Sequence, residues 1–252
     1  MKKLAGFSTI GVIICVAVAV FLGIATYLII DGNSKATNFN NYDFYSVIEP
    51  TKDNGNIGDH VKGDADAPVL IFEYADYQCP GCASVNPRVN KVIEELDGKL
   101  AVVYRSFLLS YHQNGTAAAS AAEAAGLQGY WKEYADKLFA EQAEWEYAST
   151  SERAPLFNKY FEEVTKGEGD LDKFKEDLAS EAVSKKISFD MGIAKRIDVG
   201  GTPAFYIDGQ LIDWGNPGEI TINGKRIVWE SARSGDDFVQ LIKDIVEAKL
   251  GK

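Results

Sequence analysis

The chain passes from an apolar run to a pair of cysteines along Pro68-Val-Leu-Ile-Phe-Glu-Tyr-Ala-Asp-Tyr-Gln-Cys-Pro-Gly-Cys82. The apolar part is short and is followed at once by turn-forming residues, which predicts a buried central strand ending near Ala75. Beyond the cysteines, apolar residues recur on one face of a helix that Gly98 can end. These residues are Val85, Val89, Val92, Ile93 and Leu96. The sequence therefore predicts a strand, a cysteine turn and a helix in direct succession.

Strand and helix signals alternate through the rest of the chain. A second strand is predicted at Leu100 to Phe107, and helical periodicity then runs from about Asn114 to Asp198. Strand signals return at Ala204 to Ile207, and Asp208-Gly209 and Asn223-Gly224 are each typical of a tight hairpin turn. This order predicts an α/β domain with a mixed central sheet and an inserted block of helices. The cysteine pair falls at the carboxyl end of a strand, where such sheets bind ligands.

The amino terminus predicts a membrane anchor. Residues Leu4 to Ile30 carry no charged side chain, and this run of 27 residues exceeds the roughly 20 that cross a bilayer. Lys2 and Lys3 should stay cytoplasmic, which places the rest of the chain outside the cytoplasm. A cleaved signal peptide is the alternative, but Ala25-Thr26-Tyr27 lacks a convincing small-x-small exit. We therefore expect a single-pass protein of the cell membrane.

Three regions follow from these patterns. Residues 1–30 form the predicted transmembrane signal anchor, and residues 31–56, rich in asparagine, form a predicted extracytoplasmic linker. Residues 57–252 form one α/β domain of ordinary size. The helical insertion within that domain is expected at about residues 113–198.

Composition and charge exclude several classes of protein. The chain has a formal net charge of −11, so it offers no broad basic surface to nucleic-acid phosphates. Hydrophobic residues make up 46% of the chain, enough to bury a globular core. Of its three cysteines, Cys15 lies in the apolar amino-terminal run. Cys79 and Cys82 are therefore the one soluble pair, which is no multi-disulfide framework.

The cysteine turn places a sulfur at the start of a helix. Cys79 occupies the predicted N-cap position, because Pro80 suits the first helical position and apolar periodicity begins soon afterwards. A thiolate there can accept the backbone N–H of Gly81 or Cys82 and lies at the positive end of the helix dipole. Both effects lower the pKa of Cys79. Cys82, one turn later, is placed to resolve a mixed disulfide formed by Cys79.

Two structural interpretations compete with a reactive pair. A C-x-x-C motif can be half of a zinc site, but the soluble part offers only His60 and His112 as further nitrogen ligands and no second cysteine pair. A static disulfide is the other alternative. It is disfavoured because a two-residue loop constrains the unfolded chain little and leaves sulfurs that exchange readily. We therefore predict no metal site.

Four motifs resemble those of the DsbA-like branch of the thioredoxin superfamily. They are Glu73-Tyr-Ala-Asp-Tyr-Gln-Cys-Pro-Gly-Cys82, Tyr104-Arg-Ser-Phe107 with His112, Gln128-Gly-Tyr-Trp131 with Leu138-Phe139, and Gly201-Thr-Pro-Ala-Phe-Tyr-Ile-Asp-Gly209. The resemblance runs from about His60 to Gly209. Several motifs in the family's order make it far more specific than C-x-x-C alone.

The resemblance implies a thioredoxin fold with a helical insertion and a thiol-disulfide oxidoreductase that oxidises dithiols in exported proteins. Cys79 would be the nucleophile and Cys82 the resolving thiol, while Thr202 and Pro203 match the cis-proline loop that holds the substrate chain. The pair itself would be the redox centre, with no further cofactor. The implied partners are reduced or unfolded exported proteins and a quinone-linked membrane thiol oxidase that recycles the pair.

Glu73 matches the position where this superfamily keeps a buried acid near the second cysteine. An acid within an otherwise apolar strand also requires an explanation from the residues alone, because desolvation raises its pKa and makes it a usable proton acceptor. The alternative is an exposed carboxylate at the strand end. Asp76 is interpreted as a surface or turn-capping residue, and His112 as a loop or packing residue.

The sequence departs from the family pattern at two places. The dipeptide Pro80-Gly81 lacks the histidine or aromatic residue often found second in this branch, which reduces the expected stabilisation of the Cys79 thiolate. The segment Leu211 to Ile222 exceeds the simple pattern and has no assignment. A tethered disulfide reductase or isomerase therefore remains the main alternative to an oxidase, and a non-redox interaction module remains a second one.

Overall fold

The computed structural model describes residues 37–232 and 236–251 of the chain. The predicted anchor at residues 1–30 lies outside the described residues. Within them, no helix combines the length and the apolar character needed to cross a membrane.

A five-stranded mixed sheet forms the centre of the domain, as the sequence predicts. Its strands are β1 (His60–Gly63), β2 (Val69–Ala75), β3 (Leu100–Ser106), β4 (Ala204–Ile207) and β5 (Gln210–Ile212). The strand order is β1-β3-β2-β4-β5, in which β2 and β3 run parallel and the other neighbours antiparallel. The apolar run of the sequence thus becomes the central strand, β2, and only one of its residues is not fully buried.

A short 3-10 helix, Phe39–Asn41, precedes the strands, and the α-helices lie between and after them. They are α1 (Pro80–Glu95), α2 (Gly115–Gly126), α3 (Trp131–Ala140), α4 (Gln142–Trp145), α5 (Thr150–Thr165), α6 (Leu171–Asp177), α7 (Glu181–Arg196) and α8 (Asp237–Lys249). Helices α2 to α7 all fall between β3 and β4, the place of the predicted insertion. Two apolar cores result: one joins the inserted helices to the region under the cysteines, and the other joins the sheet to α1 and α8.

The segment without a sequence assignment builds β5 and one arm of a separate hairpin. Strands β6 (Gly218–Ile222) and β7 (Lys225–Trp229) pair antiparallel and bury Ile220, Ile222 and Ile227 in the same core as α8. The turn residues Asn223 and Gly224 have φ angles of 51° and 81°. Two successive positive φ angles are what a two-residue hairpin turn requires, so the Asn-Gly prediction is confirmed, as is the Asp208-Gly209 turn between β4 and β5.

The predicted linker differs from the structure over residues 40–56, which pack on the domain. Ile48 and Asn54 are 5% and 1% exposed. Arg105, fully buried on β3, donates hydrogen bonds from Nη1 to the carbonyl oxygen of Phe44 at 2.6 Å and from Nη2 to that of Ser46 at 2.9 Å. A buried guanidinium needs acceptors for its five N–H groups, and this segment supplies two of them. The asparagine-rich composition of the segment gives no indication that its carbonyl oxygens bind a buried arginine.

A buried cluster of four charges joins Asp59, just before β1, to β3 and α7. Arg105 Nη2 contacts Asp59 Oδ2 at 2.6 Å, and Lys186 Nζ lies 3.2 Å from Asp59 Oδ1 and 2.7 Å from Asp190 Oδ1. Each of the four side chains is at most 1% exposed. Two positive and two negative groups thus compensate one another where a single unpaired charge would be costly.

Candidate active site

Cys79 and Cys82 lie at the carboxyl end of β2, where the chain turns into α1. Cys79 is the N-cap residue, with extended backbone angles of φ −76° and ψ 120°, and Pro80 is the first helical residue. Both cysteines are free thiols, with Cys79 7% exposed and Cys82 fully buried. The N-cap position predicted for Cys79 is therefore where the structure places it, and the two sulfurs differ in their access to solvent.

The surroundings of Cys79 favour its thiolate. The Cys82 thiol, acting as a hydrogen-bond donor, is the largest cause that lowers the pKa of Cys79, to about 5, against the opposing effect of burial. Thr202 and the backbone N–H groups of Cys82 and Gly81 lower it further. The neutral thiol makes no capping hydrogen bond to the helix and points its hydrogen at Thr202 instead. Ionisation thus turns the sulfur from a donor into an acceptor for donors already in place.

Cys82 behaves in the opposite way. Burial raises its pKa well above the ordinary value, and the hydrogen bond to Cys79, the charge of Cys79 and the charge of Glu73 raise it further. One sulfur of the pair is therefore a thiolate at neutral pH while its partner keeps its proton. This asymmetry separates an attacking sulfur from a resolving one.

The loop before β4 closes over Cys79. The Thr202–Pro203 peptide bond is cis, and the Sγ atom of Cys79 donates to the carbonyl oxygen of Thr202 at 3.4 Å. The Oγ1 atom of Thr202 is buried and has no hydrogen-bond partner within the described residues. A Cβ atom added to Gly81 would lie 3.1 Å from Pro203 Cδ, so a side chain at position 81 would crowd this loop. The two elements predicted to form the site thus meet at the reactive sulfur.

Glu73 is buried in the middle of β2, not exposed at the strand end. It is 1% exposed, pairs with Tyr104 on β3 and Phe205 on β4, and its Oε1 atom has no hydrogen-bond partner within the described residues. Burial raises the pKa of Glu73 to about 7; the charge of Lys62 acts in the opposite direction, and that of Asp136 in the same one. Its proton can therefore leave or return near neutral pH.

Lys62, which the sequence does not predict as part of the site, lies on the unpredicted strand β1. Its Nζ atom is buried and donates to Asn86 Oδ1 at 2.6 Å, Asn90 Oδ1 at 3.2 Å and Asp136 Oδ1 at 2.7 Å. This network joins the sheet edge to α1 and α3 and sets part of the potential at Glu73. A four-residue strand that contains a charged residue has too little apolar alternation to be predicted as a strand. Only the spacing of Asn86 and Asn90, which places both on one helix face, could have suggested a buried cation.

Asp76 caps the cysteine turn, as predicted, but from a fully buried position. Its carboxylate accepts the backbone N–H groups of Gln78 and Leu109, each at 2.9 Å, and contacts His112 Nδ1 at 2.8 Å. Of the two alternatives for Asp76, the surface position is therefore wrong and the turn-capping role is found, while His112 lies in a loop and contacts Asp76. Both hold the loop after β3 against the turn that presents Cys79.

The chemistry available at this site is that of the two sulfurs and the nearby carboxyl group. Over residues 37–232 and 236–251, no group of three or more His, Cys, Asp or Glu side chains could hold a metal ion. The described groups suit exchange of electrons between thiols and disulfides, with a carboxyl group that titrates near neutral pH.

A groove of about 470 Å³ runs from the cysteine dipeptide along the cis-proline loop. Gly81, Thr202 and Pro203 are among its lining residues, and Leu211 and Trp214 add a further wall. That wall belongs to the segment that has no assignment from the sequence. A chain that reaches Cys79 can therefore extend along a surface built by both loops.

A family model described as Thioredoxin matches residues 55–244 of the chain. Among solved structures, BdbD from Bacillus subtilis in its oxidised form has a TM-score of 0.57 and 20% identity, and the match covers 83% of this chain and all of that one. α-DsbA1 from Wolbachia pipientis has a TM-score of 0.55 and 23% identity, over 77% of this chain and 93% of that one. At these identities the likeness concerns the fold.

The chain also matches curated proteins, but only over a small part of the length of those proteins. The Na(+)/H(+) antiporter NhaA 1 of Salinispora arenicola is 35% identical over 156 residues, which are 60% of this chain and 22% of that protein. The antiporter NhaA of Herminiimonas arsenicoxydans is 29% identical over 205 residues, 81% of this chain and 30% of that protein. The chain thus spans less than a third of the length of these relatives.

Proposed function

The chain belongs to the thioredoxin family, and we propose that it is a thiol-disulfide oxidoreductase that oxidises dithiols in exported proteins. The observation that carries the proposal is the asymmetry of its cysteine pair: the pKa of Cys79 is lowered to about 5, whereas that of the buried Cys82 is raised. A pair of this kind has one sulfur that attacks and leaves readily and one that resolves. The redox-active disulfide Cys79-Cys82 is the only redox centre the proposal needs.

The reaction transfers two electrons from the client to the pair. A client thiolate attacks the Sγ atom of Cys79 in the oxidised protein, which forms a mixed disulfide and breaks the Cys79-Cys82 bond. Cys82 leaves as a thiolate and takes up a proton. A second client thiolate then attacks the client sulfur of the mixed disulfide, which forms the client disulfide and releases Cys79 as a thiolate.

In the second step, in which the client disulfide forms, the leaving group is the Cys79 thiolate. Because a thiol of low pKa leaves faster, the stabilised Cys79 thiolate favours release of the oxidised client. The same stabilisation lowers the free energy of the reduced protein, so electrons flow from client to protein. This effect supports the oxidase direction over the reductase alternative.

Glu73 exchanges a proton with Cys82 in this proposal. Its charge contributes to the raised pKa of Cys82, and its own pKa of about 7 lets it donate a proton when Cys82 leaves and accept one when the pair is reoxidised. Thr202 and Pro203 act earlier, by holding the client main chain against Cys79.

The cellular setting is also proposed from the sequence. Residues 1–30 anchor the chain in the cell membrane with the amino terminus in the cytoplasm, and the domain meets reduced or unfolded proteins outside it. A quinone-linked thiol oxidase of the membrane accepts the two electrons and restores the disulfide.

Oxidation of a reduced, unfolded protein tests the proposal directly. The oxidised chain in detergent is mixed with a client that carries two thiols, and the remaining client thiols are counted with time. We expect two client thiols to disappear for each disulfide supplied. A Cys79→Ser/Cys82→Ser variant, in which hydroxyl groups replace both thiols, is the matched control. Equal rates for the two proteins would refute the proposal.

A further inference from the structure

The segment Leu211–Ile222 contributes one wall of the groove beside the reactive pair, through residues 211–215. Trp214 is fixed there: its Nε1 atom lies 3.5 Å from the carbonyl oxygen of Pro203, and its ring packs edge-on against Phe205 and Phe238 at centroid distances of 6.3 and 5.6 Å. Leu211 in the same wall is 51% exposed. This wall therefore presents an ordered apolar surface to a chain bound at Pro203.

The charges of the groove are all of one sign. Asp198 and Asp213 are its charged lining residues, and both are exposed. The two carboxylate oxygens of Asp213 accept from the neutral Nδ2 group of Asn216 at 3.0 Å, which leaves the negative charge uncompensated. Exposed carboxylates beside apolar walls attract cations.

No lysine or arginine is among the described residues that line the groove beside Asp198 and Asp213. Lys195 and Arg196 end α7 close to Asp198 along the chain, but neither lines the groove, and Arg196 Nη1 donates to the carbonyl oxygen of Gly192 at 3.1 Å. Within the part of the chain that the structure describes, no salt bridge joins Asp198 or Asp213 to a lysine, arginine or histidine. The formal net charge of −11 adds an attraction of the same sign over longer distances.

We propose that this groove selects client segments in which a lysine or arginine and an apolar side chain lie beside the reactive cysteine. The occupant is an extended client polypeptide: its cysteine reaches Cys79, its apolar side chain contacts Leu211 or Trp214, and its cation lies near Asp198 or Asp213. Trp214 adds a face on which a cation can stack. The inference rests on the proposed function and names the substrate class for it.

The test uses peptides that share one cysteine and one leucine and differ at a single flanking position, which is lysine, alanine or glutamate. The second-order rate of mixed-disulfide formation with the oxidised chain is measured for each peptide. Two variants are compared with the natural chain. Asp198→Asn/Asp213→Asn removes both groove charges, and Glu94→Gln/Glu133→Gln removes two exposed charges of α1 and α3 outside the groove. Comparing proteins with the same peptide cancels the intrinsic reactivity of its thiol.

The chosen substitutions preserve the local backbone. Asp198 has a φ of 53°, which asparagine adopts more readily than most residues, and an asparagine at position 213 keeps an acceptor for Asn216. We expect the natural chain to react faster with the lysine peptide than with the glutamate peptide. Two exposed charge contacts predict that the rate with the lysine peptide exceeds the rate with the glutamate peptide by a factor of about three or more. This ratio should fall towards one in the groove variant and persist in the control variant. It should also decrease as salt is added.

Three outcomes would overturn the inference. Equal rates for lysine and glutamate peptides on the natural chain would remove the selectivity while leaving the oxidoreductase activity intact. An equal loss of preference in both double variants would assign it to the net charge and not to the groove. Failure of every peptide to exchange would overturn the proposed function and this inference with it.

Discussion

The Sγ atom of Cys79 lies 3.4 Å from the carbonyl oxygen of Thr202. This contact joins the start of α1 to the loop before β4, two elements separated by the whole helical insertion. A carbonyl oxygen can accept from the thiol but gives nothing to a thiolate, whereas the hydroxyl of Thr202 can donate to it. The loop therefore offers an acceptor to the Cys79 thiol and a donor to the Cys79 thiolate.

The pKa of Cys79 should depend on the donor at position 82. The Cys82 thiol is the largest contribution that lowers it to about 5, so Cys82→Ala should raise the pKa, whereas Cys82→Ser, which keeps an O–H donor, should raise it less. The pH dependence of thiolate absorbance in the ultraviolet measures both values. Identical pKa values in the two variants would show that a side-chain donor at position 82 does not stabilise the thiolate.

The stability of the reduced protein should follow the same ionisation. The folded pKa of Cys79 lies below its ordinary value of 9.0, so ionisation stabilises the fold fully above pH 9 and this contribution is lost as the pH falls through about 5. We expect the free energy of unfolding of the reduced chain, relative to Cys79→Ser, to rise between these two pH values. A flat difference would contradict the assigned pKa.

The two cysteines should differ in the complexes they trap. Cys82→Ser keeps the attacking sulfur and loses the resolving one, so it should accumulate mixed disulfides with client proteins, whereas Cys79→Ser should form almost none because Cys82 is fully buried. Non-reducing gels of both variants after exposure to clients provide the measurement. Comparable adducts from both variants would mean that the roles are assigned wrongly.

Glu73 should make the fold less stable at alkaline pH. Its folded pKa of about 7 lies above its ordinary 4.5, so the neutral form contributes stability below pH 4.5 that is lost as the pH rises through 7. Glu73→Gln should therefore be more stable than the natural chain at pH 8, by an amount on the order of 3 kcal/mol, with little difference at pH 4.5.

Urea unfolding at several pH values measures that difference, and Asp136→Asn is its companion variant. Because the charge of Asp136 raises the pKa of Glu73, its removal should move the transition to lower pH. Glu73→Gln should also slow release of the oxidised client or reoxidation of the pair, since an amide cannot carry the proton. Unchanged single-turnover rates across the pH range would leave Glu73 with a structural role only.

The sequence predicts the centre of the site because local rules act there. The apolar run of β2, the proline after Cys79 and the periodicity of α1 each depend on neighbouring residues, and together they place Cys79 at a helix start. The burial of Glu73 follows from the same strand, since a carboxyl group in the middle of a central strand has no route to solvent.

The parts that the sequence does not predict depend on distant contacts. Lys62 is buried because Asn86, Asn90 and Asp136 from two helices satisfy its ammonium group. The segment from residue 40 to residue 56 is ordered because Arg105 needs its carbonyl oxygens. Neither partnership is visible in a window of neighbouring residues, and asparagine-rich composition alone favours a flexible tether.

The predicted topology is open to a test in intact cells. If residues 1–30 anchor the chain with its amino terminus inside, protease added from outside should remove the domain, and an impermeant thiol reagent should label Cys79 in the reduced state. A cytoplasmic protein provides the control for cell integrity. Protection of Cys79 from both reagents, in cells whose other surface proteins are accessible, would contradict this topology.

The redox potential of the pair tests the oxidase account most directly. The stabilised Cys79 thiolate should raise it above thioredoxin's value of about −270 mV, while the glycine at position 81 should keep it below the value of about −120 mV for DsbA. Titration of the chain in glutathione buffers gives this number. We predict a potential between these two limits. It should fall by about 30 mV per pH unit between pH 6 and 8, because only Cys82 takes up a proton on reduction. A value at or below that of thioredoxin, with no oxidation of a reduced unfolded client, would contradict the account and favour a reductase.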